Sequence, residues 1–580
     1  MFRSFVCVAC LLFTLMSLGT PTPSSAAPSA AEQERIAREQ QQILRQDEER
    51  RREEERRRKL RELSPPSPEE QRPIPPKPKN ERCINVDKIH LSENAVLSTD
   101  DIDEALSKFV GKCLSMGEIE NLLTIVNDTF RDAGFITTRG YLQPQNLQDG
   151  VLEITIVEGT VQDIRLNEDT LEDRTQIWWA FPNTTGDILS IRDVEQGLDQ
   201  MNRLSSNDAK MQISPGEKAG ESLVTVTNEV SNPIRLTVGR ENSGSTSTGK
   251  LLNTASLNID NMMRLNDAWM LNYNRTARNY GTDRRSESLS GTYSIPFGYS
   301  TLSYSGSYYA YDTLVEGDVQ DFQTSGTSTT HKVELSNIIH RDQNSKTRLD
   351  FSVAAKQSRN FIEDVFVQAS SRKLSVGRIA AAHSNRILDG VASFEIGFEK
   401  GLRVLGALRD DPDQATDDPK AQFRKWTFES NYQRPFELSA QRFSWSSSTS
   451  WQYAPDTLFG TERFGVGGQY SVRGFRDDTL AGDTGGYWRN ELSWTPDISQ
   501  IGSASDFVNY VQPYAAYDWG WIKTDHSEDR ERGTLSGMAL GIRTAGKYFS
   551  LSAEWAHGLH SPDFLEKNGH EINFRAVFHL

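Results

Sequence analysis

From residue 233 to the end, the sequence repeats one texture: short segments in which every second residue is apolar, broken by Gly, Asn, Asp and Ser. Leu302, Tyr304, Gly306, Tyr308 and Ala310 share one face of such a segment, and Ile572, Phe574, Ala576, Phe578 and Leu580 share another. Side chains alternate across a β-strand, so a period of two makes each segment a strand with one apolar and one polar face. A soluble sheet protein has the same period, and what precedes the strands separates the two readings. Residues 1–27 hold Arg3, an apolar run over 5–18 and then Ser24, Ser25, Ala26 and Ala27. That is the layout of a secretory signal peptide, and the run is too short to span a bilayer. No later stretch has 18 apolar residues, which leaves no transmembrane helix to draw. Export, aromatic enrichment near segment ends and an apolar last strand favour a transmembrane β-barrel. Residues 232–580 suffice for about sixteen strands, and closure satisfies every backbone group without water.

Residues 28–63 form the opposite kind of element. They are dense in Glu, Arg and Gln, contain no Gly, and keep few apolar residues beyond Ile36, Ile43, Leu44, Leu60 and Leu63. Helix formers with opposite charges at helical spacing predict a helix of about 45 Å, polar all round. Such a helix needs water or a polar partner, so it is either a plug inside a pore or a solvated arm. Residues 64–81 follow with Pro65, Pro66, Pro68, Pro73, Pro75, Pro76 and Pro78, an extended tether.

Two α+β modules fill the interval, residues 82–159 and 160–231. In the first, Ile84, Val86 and Ile89 open a strand, Ser98 or Thr99 caps a helix over 102–109, and Ser115 precedes a second helix that Gly134 stops. Strands over 137–141 and 151–157 follow. The second module repeats the order with a helical part over 178–204 and strands at 211–213 and 223–226. Cleavage of the signal leaves Cys83 and Cys113 as an even pair in an exported chain, which suggests a disulfide; two free buried thiols are the alternative.

At these residues the chain resembles a known family. Cys83-Ile84, Gly111-Lys112-Cys113-Leu114-Ser115, and Gly134-Phe135-Ile136-Thr137-Thr138-Arg139 through Gln143-Pro144-Gln145 are similar to the first polypeptide-transport-associated (POTRA) domain of two-partner secretion transporters, the haemolysin-activator, filamentous-haemagglutinin and contact-dependent-inhibition group. That domain often carries this cysteine pair in the family. Gly467-Gly468-Gln469-Tyr470-Ser471-Val472-Arg473-Gly474-Phe475 resembles the tip of the family's long inward-folded loop, placed near 462–486. The resemblance implies that Arg473 reaches the barrel wall and pairs with the Asp of Tyr517-Asp518-Trp519-Gly520, with Val472, Gly474 and Phe475 completing the motif. The guanidinium fork suits a carboxylate as Lys cannot, and Gly474 permits a tight turn. In a wet lumen the pair contributes about 0.2–1 kcal/mol, more if shielded.

The implied architecture is mainly β: a C-terminal 16-stranded transmembrane barrel, two POTRA modules in the periplasm, a plug helix and a signal peptide. The implied function is recognition and secretion of one large exoprotein through its N-terminal secretion domain, without ATP, cofactor, metal or catalysis. Outer-membrane lipid and the barrel-assembly machinery are the other expected partners, and the chain is expected to act as a monomer. Client capture by edge-strand pairing points to Thr137, Thr138, Arg139 and Tyr141, and to Met211 and Ile213. A barrel-assembly or insertion factor of the same superfamily is the alternative. A net charge of −16 without a basic domain argues against nucleic acid. Gly244-Ser245-Thr246-Ser247-Thr248-Gly249-Lys250 fits a phosphate-binding loop until Leu251 stands where Ser or Thr is required; a polar hairpin loop explains it better. No His-Glu-x-x-His or Gly-x-Ser-x-Gly occurs, although a Ser, His and Asp gathered only by folding would escape this reading.

Overall fold

The alternating segments close on themselves. Sixteen antiparallel strands run from Ile234–Glu241 to His570–His579, and the last pairs with the first, from Arg575 opposite Glu241 to His579 opposite Thr237. A further two-residue strand, Val365–Phe366, folds back on Ser345–Ile362 in one connecting loop. The computed structural model describes residues 28–62, 83–92, 96–97, 106–277, 283–317, 319–415, 417–497, 508–523, 532–565 and 569–580. The signal segment, the Pro-rich tether and the cap at Ser98 or Thr99 lie outside these residues.

The pleat sorts residues as the period of two demands. Leu302, Tyr304, Tyr308, Ile572, Phe574 and Phe578 are exposed on the outer face, whereas Glu334, Asp350, Lys425 and Asp518 are buried on the inner one. A soluble sheet protein would bury the first set and expose the second. This inverted arrangement suits a wall between lipid and a polar lumen.

Helix α1 (Ala30–Glu62) lies inside the barrel, about 50 Å long at 1.5 Å per residue. Its sparse apolar residues face the wall: Ile36 packs with Val315, Phe322 and Ile362, and Ile43 and Leu44 meet Tyr309 and Tyr311. Along the helix Asp47 pairs with Arg50 and Arg51, and Glu53 with Arg56 and Arg57. Of the two readings open from the sequence, the structure takes the lumen and not the solvated arm.

In module 1, Cys83–Val86 pairs with Lys112–Ser115, while Lys88–Leu91, Val151–Val157 and Arg139–Tyr141 make a three-stranded sheet in that order. Helix α2 (Met116–Asp132) starts in a reciprocal cap between Ser115 and Glu118 and buries Ile119, Leu122, Val126 and Phe130. Gly134 ends it at φ +101°, a conformation a side chain would resist. Cys83 and Cys113 are disulfide-bonded. The expected strand over 137–141 shortens to Arg139–Tyr141, because the Thr138 amide is spent in a turn, donating to the Phe135 carbonyl at 3.2 Å.

Module 2 has Glu221–Val230 at the centre of its sheet, with Thr160–Leu166 and Asn207–Pro215 at the edges. Its helical part differs from the expected 178–204. Two helices form, α3 (Leu171–Ala180) and α4 (Ile191–Asn202). Thr170 and Asp173 cap α3 seven residues before the expected start, and Pro182 together with Gly186 at φ +92° separates the two. The modules are joined by backbone bonds from Ile191 to Gly134 and from Leu189 to Gly159, both short of 3 Å.

Candidate functional site in the barrel lumen

The connection over 454–483 does not stay at the barrel rim. It turns inward as a short hairpin, Phe464–Val466 against Leu480–Gly482, and brings Arg473 to the inner wall. The guanidinium engages Asp518 with two bonds, Nε to Oδ2 at 2.6 Å and Nη2 to Oδ1 at 2.7 Å. The Arg473 amide donates to the same carboxylate at 3.1 Å. Two further carboxylates, Glu491 and Glu554, lie 3.3 Å from Nη1. Arg543 holds Glu491 in turn, Tyr514 donates to Glu554, and Arg489 lies 3.8 Å from Asp518. Three carboxylates thus share three guanidinium groups. Arg473 is 2% exposed and Asp518 0%, so the pair is shielded and the wet-lumen value does not apply. Losing one partner of such a buried pair costs about 3–5 kcal/mol, because the other charge is left uncompensated.

Glycine decides how close the loop comes. A Cβ on Gly474 would stand 2.4 Å from the Gly558 amide nitrogen, and one on Gly537 would stand 1.9 Å from the Arg473 carbonyl oxygen. Loop backbone therefore lies directly on strand backbone, and Gly474 also holds φ +91°. Val472 and Phe475 fix the contact by packing with Phe464, Val466, Ile522 and Leu535.

A second anchor holds the descending leg. Glu462, fully buried, accepts from Lys425 at 2.9 Å and from Lys356 at 2.7 Å. Lys356 also lies 3.8 Å from Glu48 of α1, so one ammonium group serves loop and plug together. The plug reads the rest of the lumen through polar contacts of the same kind. Lys59 reaches Glu334 at 3.2 Å and Asp350 at 3.5 Å, Lys332 reaches Glu55 at 2.5 Å, and Gln42 donates to the Asp477 carbonyl at 2.5 Å. Water can replace each of these bonds, which makes the helix removable in a way an apolar plug is not. Gly244 to Lys250 form a polar loop between the first two barrel strands, and its Thr246 amide donates to Asp477. A strand follows it instead of the helix that phosphate binding requires.

Module 2 closes one mouth of the barrel. Gln196 and Gln200 of α4 donate to the Gly298 carbonyl, Arg203 reaches Ser294 and Asn266, and Trp178 and Trp179 stack edge-on to Phe297. Asp199 accepts from Arg341 at 2.6 Å and from Lys346 at 2.9 Å. Partial enclosure alone would raise the Asp199 carboxyl, but the Lys346 and Arg341 charges outweigh it and hold it below its ordinary value. A cavity of about 950 Å³ remains between α4, the barrel wall and Arg58 of the plug.

Comparison with known proteins decides the family. Residues 220–544 match the model described as haemolysin secretion/activation protein ShlB/FhaC/HecB, residues 84–159 the ShlB-type POTRA domain, and residues 160–215 a POTRA domain. The chain belongs to this family. It is 32% identical over 495 residues to the outer membrane transporter CdiB of Escherichia coli, covering 85% of this chain and 82% of that one. It is 28% identical to the hemolysin transporter protein ShlB of Serratia marcescens, covering 84% and 85%. The solved structure of CdiB from Escherichia coli superposes with a TM-score of 0.82 at 31% identity, over 96% of this chain and all of that one. The protein is therefore an outer-membrane transporter of two-partner secretion, with its POTRA modules in the periplasm, and the mouth that module 2 closes is the periplasmic one.

The structure brings Arg473, Asp518, Val472, Gly474 and Phe475 together, and disperses the expected client contacts. Arg139 and Tyr141 sit on an edge strand, with Tyr141 exposed. Thr138 is fully buried at the module junction and offers nothing to a client. Met211 and Ile213 lie on an edge strand too, yet their side chains pack against the module core. Trp178 and Trp179 meet the barrel, and Phe181 is core. Sequence reasoning missed Glu491, Glu554, Lys425, Glu462 and the α4 contacts. For Glu491, Glu554 and Lys425 the one available signal was an ionisable residue on the polar face of an alternating strand.

Proposed function

We propose that the transporter secretes one cognate exoprotein, of the haemolysin, adhesin or contact-dependent toxin class, through the lumen that α1 and the inward loop fill at rest. The exoprotein's N-terminal secretion domain docks on the POTRA modules by adding a strand to an exposed edge, with Arg139–Tyr141 the better placed of the two candidate edges. The chain then threads unfolded, and folding outside biases its movement, so no nucleotide is consumed. The division is signal peptide 1–27, plug 28–63, tether 64–81, POTRA domains 82–159 and 160–231, and barrel 232–580. The barrel works as a monomer inserted by the barrel-assembly machinery. Arg473 and Asp518 act as the latch that holds the inward loop.

The observation that carries this reading is a polar helix seated in a closed barrel through contacts that water can replace, above a mouth lined by a binding module. Deleting residues 28–62 tests it in planar bilayers and in secretion assays. Ion conductance should rise several-fold while secretion persists. Unchanged conductance would place the helix elsewhere and defeat the plug.

A further inference from the structure

The outer face of the barrel is not electrically alike at its two ends. At the periplasmic end, outward positions hold residues such as Phe297, Phe436 and Phe443, and Arg434 there is paired with Asp389. At the far end, three neighbouring strands, Arg372–Ile387, Gly390–Gly401 and Arg424–Leu438, place Lys373, Lys400 and Arg424 outward. Lys400 stands two residues beyond Phe398 and Arg424 two before Trp426, whose rings contact on the outer face at 4.7 Å. Lys400 and Arg424 are direct cross-strand partners. Like charges so placed repel. Asp456 holds Arg424 at 2.9 and 3.1 Å, whereas Lys400 has no hydrogen bond or ion pair among the described residues.

The loop beside them adds an apolar arm. Its first residues lie along the outer face: the Leu402 amide donates to Ser375, the Leu408 amide to Lys373, and Leu402 covers Gly377, the neighbour of Lys400. The turn between them, with Leu405 at φ +54° and Gly406 at φ +71°, hangs over the Lys373 ammonium. It leaves Val404, Leu405 and Leu408 exposed by 47%, 61% and 45%, with Arg403 exposed among them. Asp410, which follows in the same loop, accepts from the amides of Ala421 and Gln422.

Three fixed apolar side chains are costly in water and suited to the boundary between acyl chains and headgroups, where aromatic and basic residues anchor membrane proteins. Cations just beyond an aromatic row then face the headgroup layer. We infer that this patch binds a phosphate-bearing lipid of the outer leaflet, its acyl chains along Ile396, Phe398 and Trp426 and its phosphates at Lys400, Lys373 and Arg403. A basic residue near an anionic lipid surface is worth roughly a five-fold gain in binding, so reversing two charges should lower it by about 25-fold or more.

The test is native mass spectrometry of the full chain in detergent, offered bis-phosphorylated lipid A or its dephosphorylated form. The wild type should retain the phosphorylated lipid about ten-fold better. Lys400→Glu with Arg403→Glu should abolish that preference, and Leu405→Asp should lower retention of both lipids. Heat-modifiable migration on gels establishes that each barrel is folded, and Lys400→Gln replaces the double variant if that one is not. Equal retention of the two lipids by the wild type, or undiminished retention by the charge variants, would overturn the proposal. Complete displacement of the lipid by millimolar inorganic phosphate would make the patch a simple anion site and overturn it equally.

Discussion

At the scale of single residues, the latch is a problem of buried charge. Asp518, Glu491 and Glu554 are tolerated against the wall because Arg473, Arg489 and Arg543 stand among them. Arg473→Ala removes the central cation, and the resulting cost of about 3–5 kcal/mol should drive the loop off the wall. The barrel should still assemble, since its strands pair through backbone, but secretion should stop and single-channel conductance should fluctuate. Arg473→Lys should fail almost as completely, because one ammonium cannot reproduce the bidentate fork. Unimpaired secretion by a folded Arg473→Ala barrel would remove the latch from the mechanism. Gly537→Val provides a separate check: its side chain would occupy the place of the Arg473 carbonyl and should displace the loop while every charge remains. Arg473 and Asp518 were legible in the sequence because each sits in a local motif. Glu491 and Glu554 were not, because they lie on separate strands with no local pattern to single them out, and only register brings them to one point.

At the scale of elements, the disulfide and the α4 interface set how firmly the periplasmic parts are held. Cys83 and Cys113 close a loop with a sequence separation of 30, for which chain entropy gives about 3–4 kcal/mol of stabilisation to module 1. Serine at both positions should lower the melting temperature of module 1 and leave the barrel's resistance to detergent unchanged, as calorimetry and gel migration would show. Asp199 makes the module 2 contact depend on pH. Its carboxyl is held below the ordinary value in the docked state, so its contribution is present above about pH 4 and is lost as pH falls through the lowered value. The protection factors of the α4 amides, exchange rates divided by their intrinsic pH-dependent values, should be constant between pH 5 and 8 and fall below pH 4; Asp199→Asn should remove that acid sensitivity. If the mutant and wild type respond alike, Asp199 is not the group responsible. The strands, α2 and its caps were readable because period and capping chemistry are local. The break between α3 and α4 is marked in the sequence by Pro182 and the polar run from Asn183 to Asp187, which the expected helical part over 178–204 ran across. The location of α1 could not be read from its residues, since a helix polar all round fits water and a polar lumen equally well, and only the family resemblance implied a plug.

At the scale of the whole molecule, the barrel supplies a fixed frame on which α1 within, the inward loop across and module 2 beneath are mounted by polar contacts with a few apolar ones among them. Lys356, shared by Glu48 and Glu462, links two of these mountings, so loosening one weakens the other.

The C-terminal end of α1 faces the periplasmic mouth, and residues 63–82 join it to Cys83. Twenty residues can span at most about 70 Å, more than the roughly 50 Å of the helix, so α1 can leave the pore whole without unfolding module 1. It then remains a ligand that never diffuses away. Its local concentration at the pore is on the order of millimolar, whatever the number of transporters in the membrane. A peptide of residues 28–62 added to a barrel lacking its own helix should therefore restore low conductance only near millimolar doses. Closure at micromolar peptide would show that contacts, and not the leash, keep the door shut.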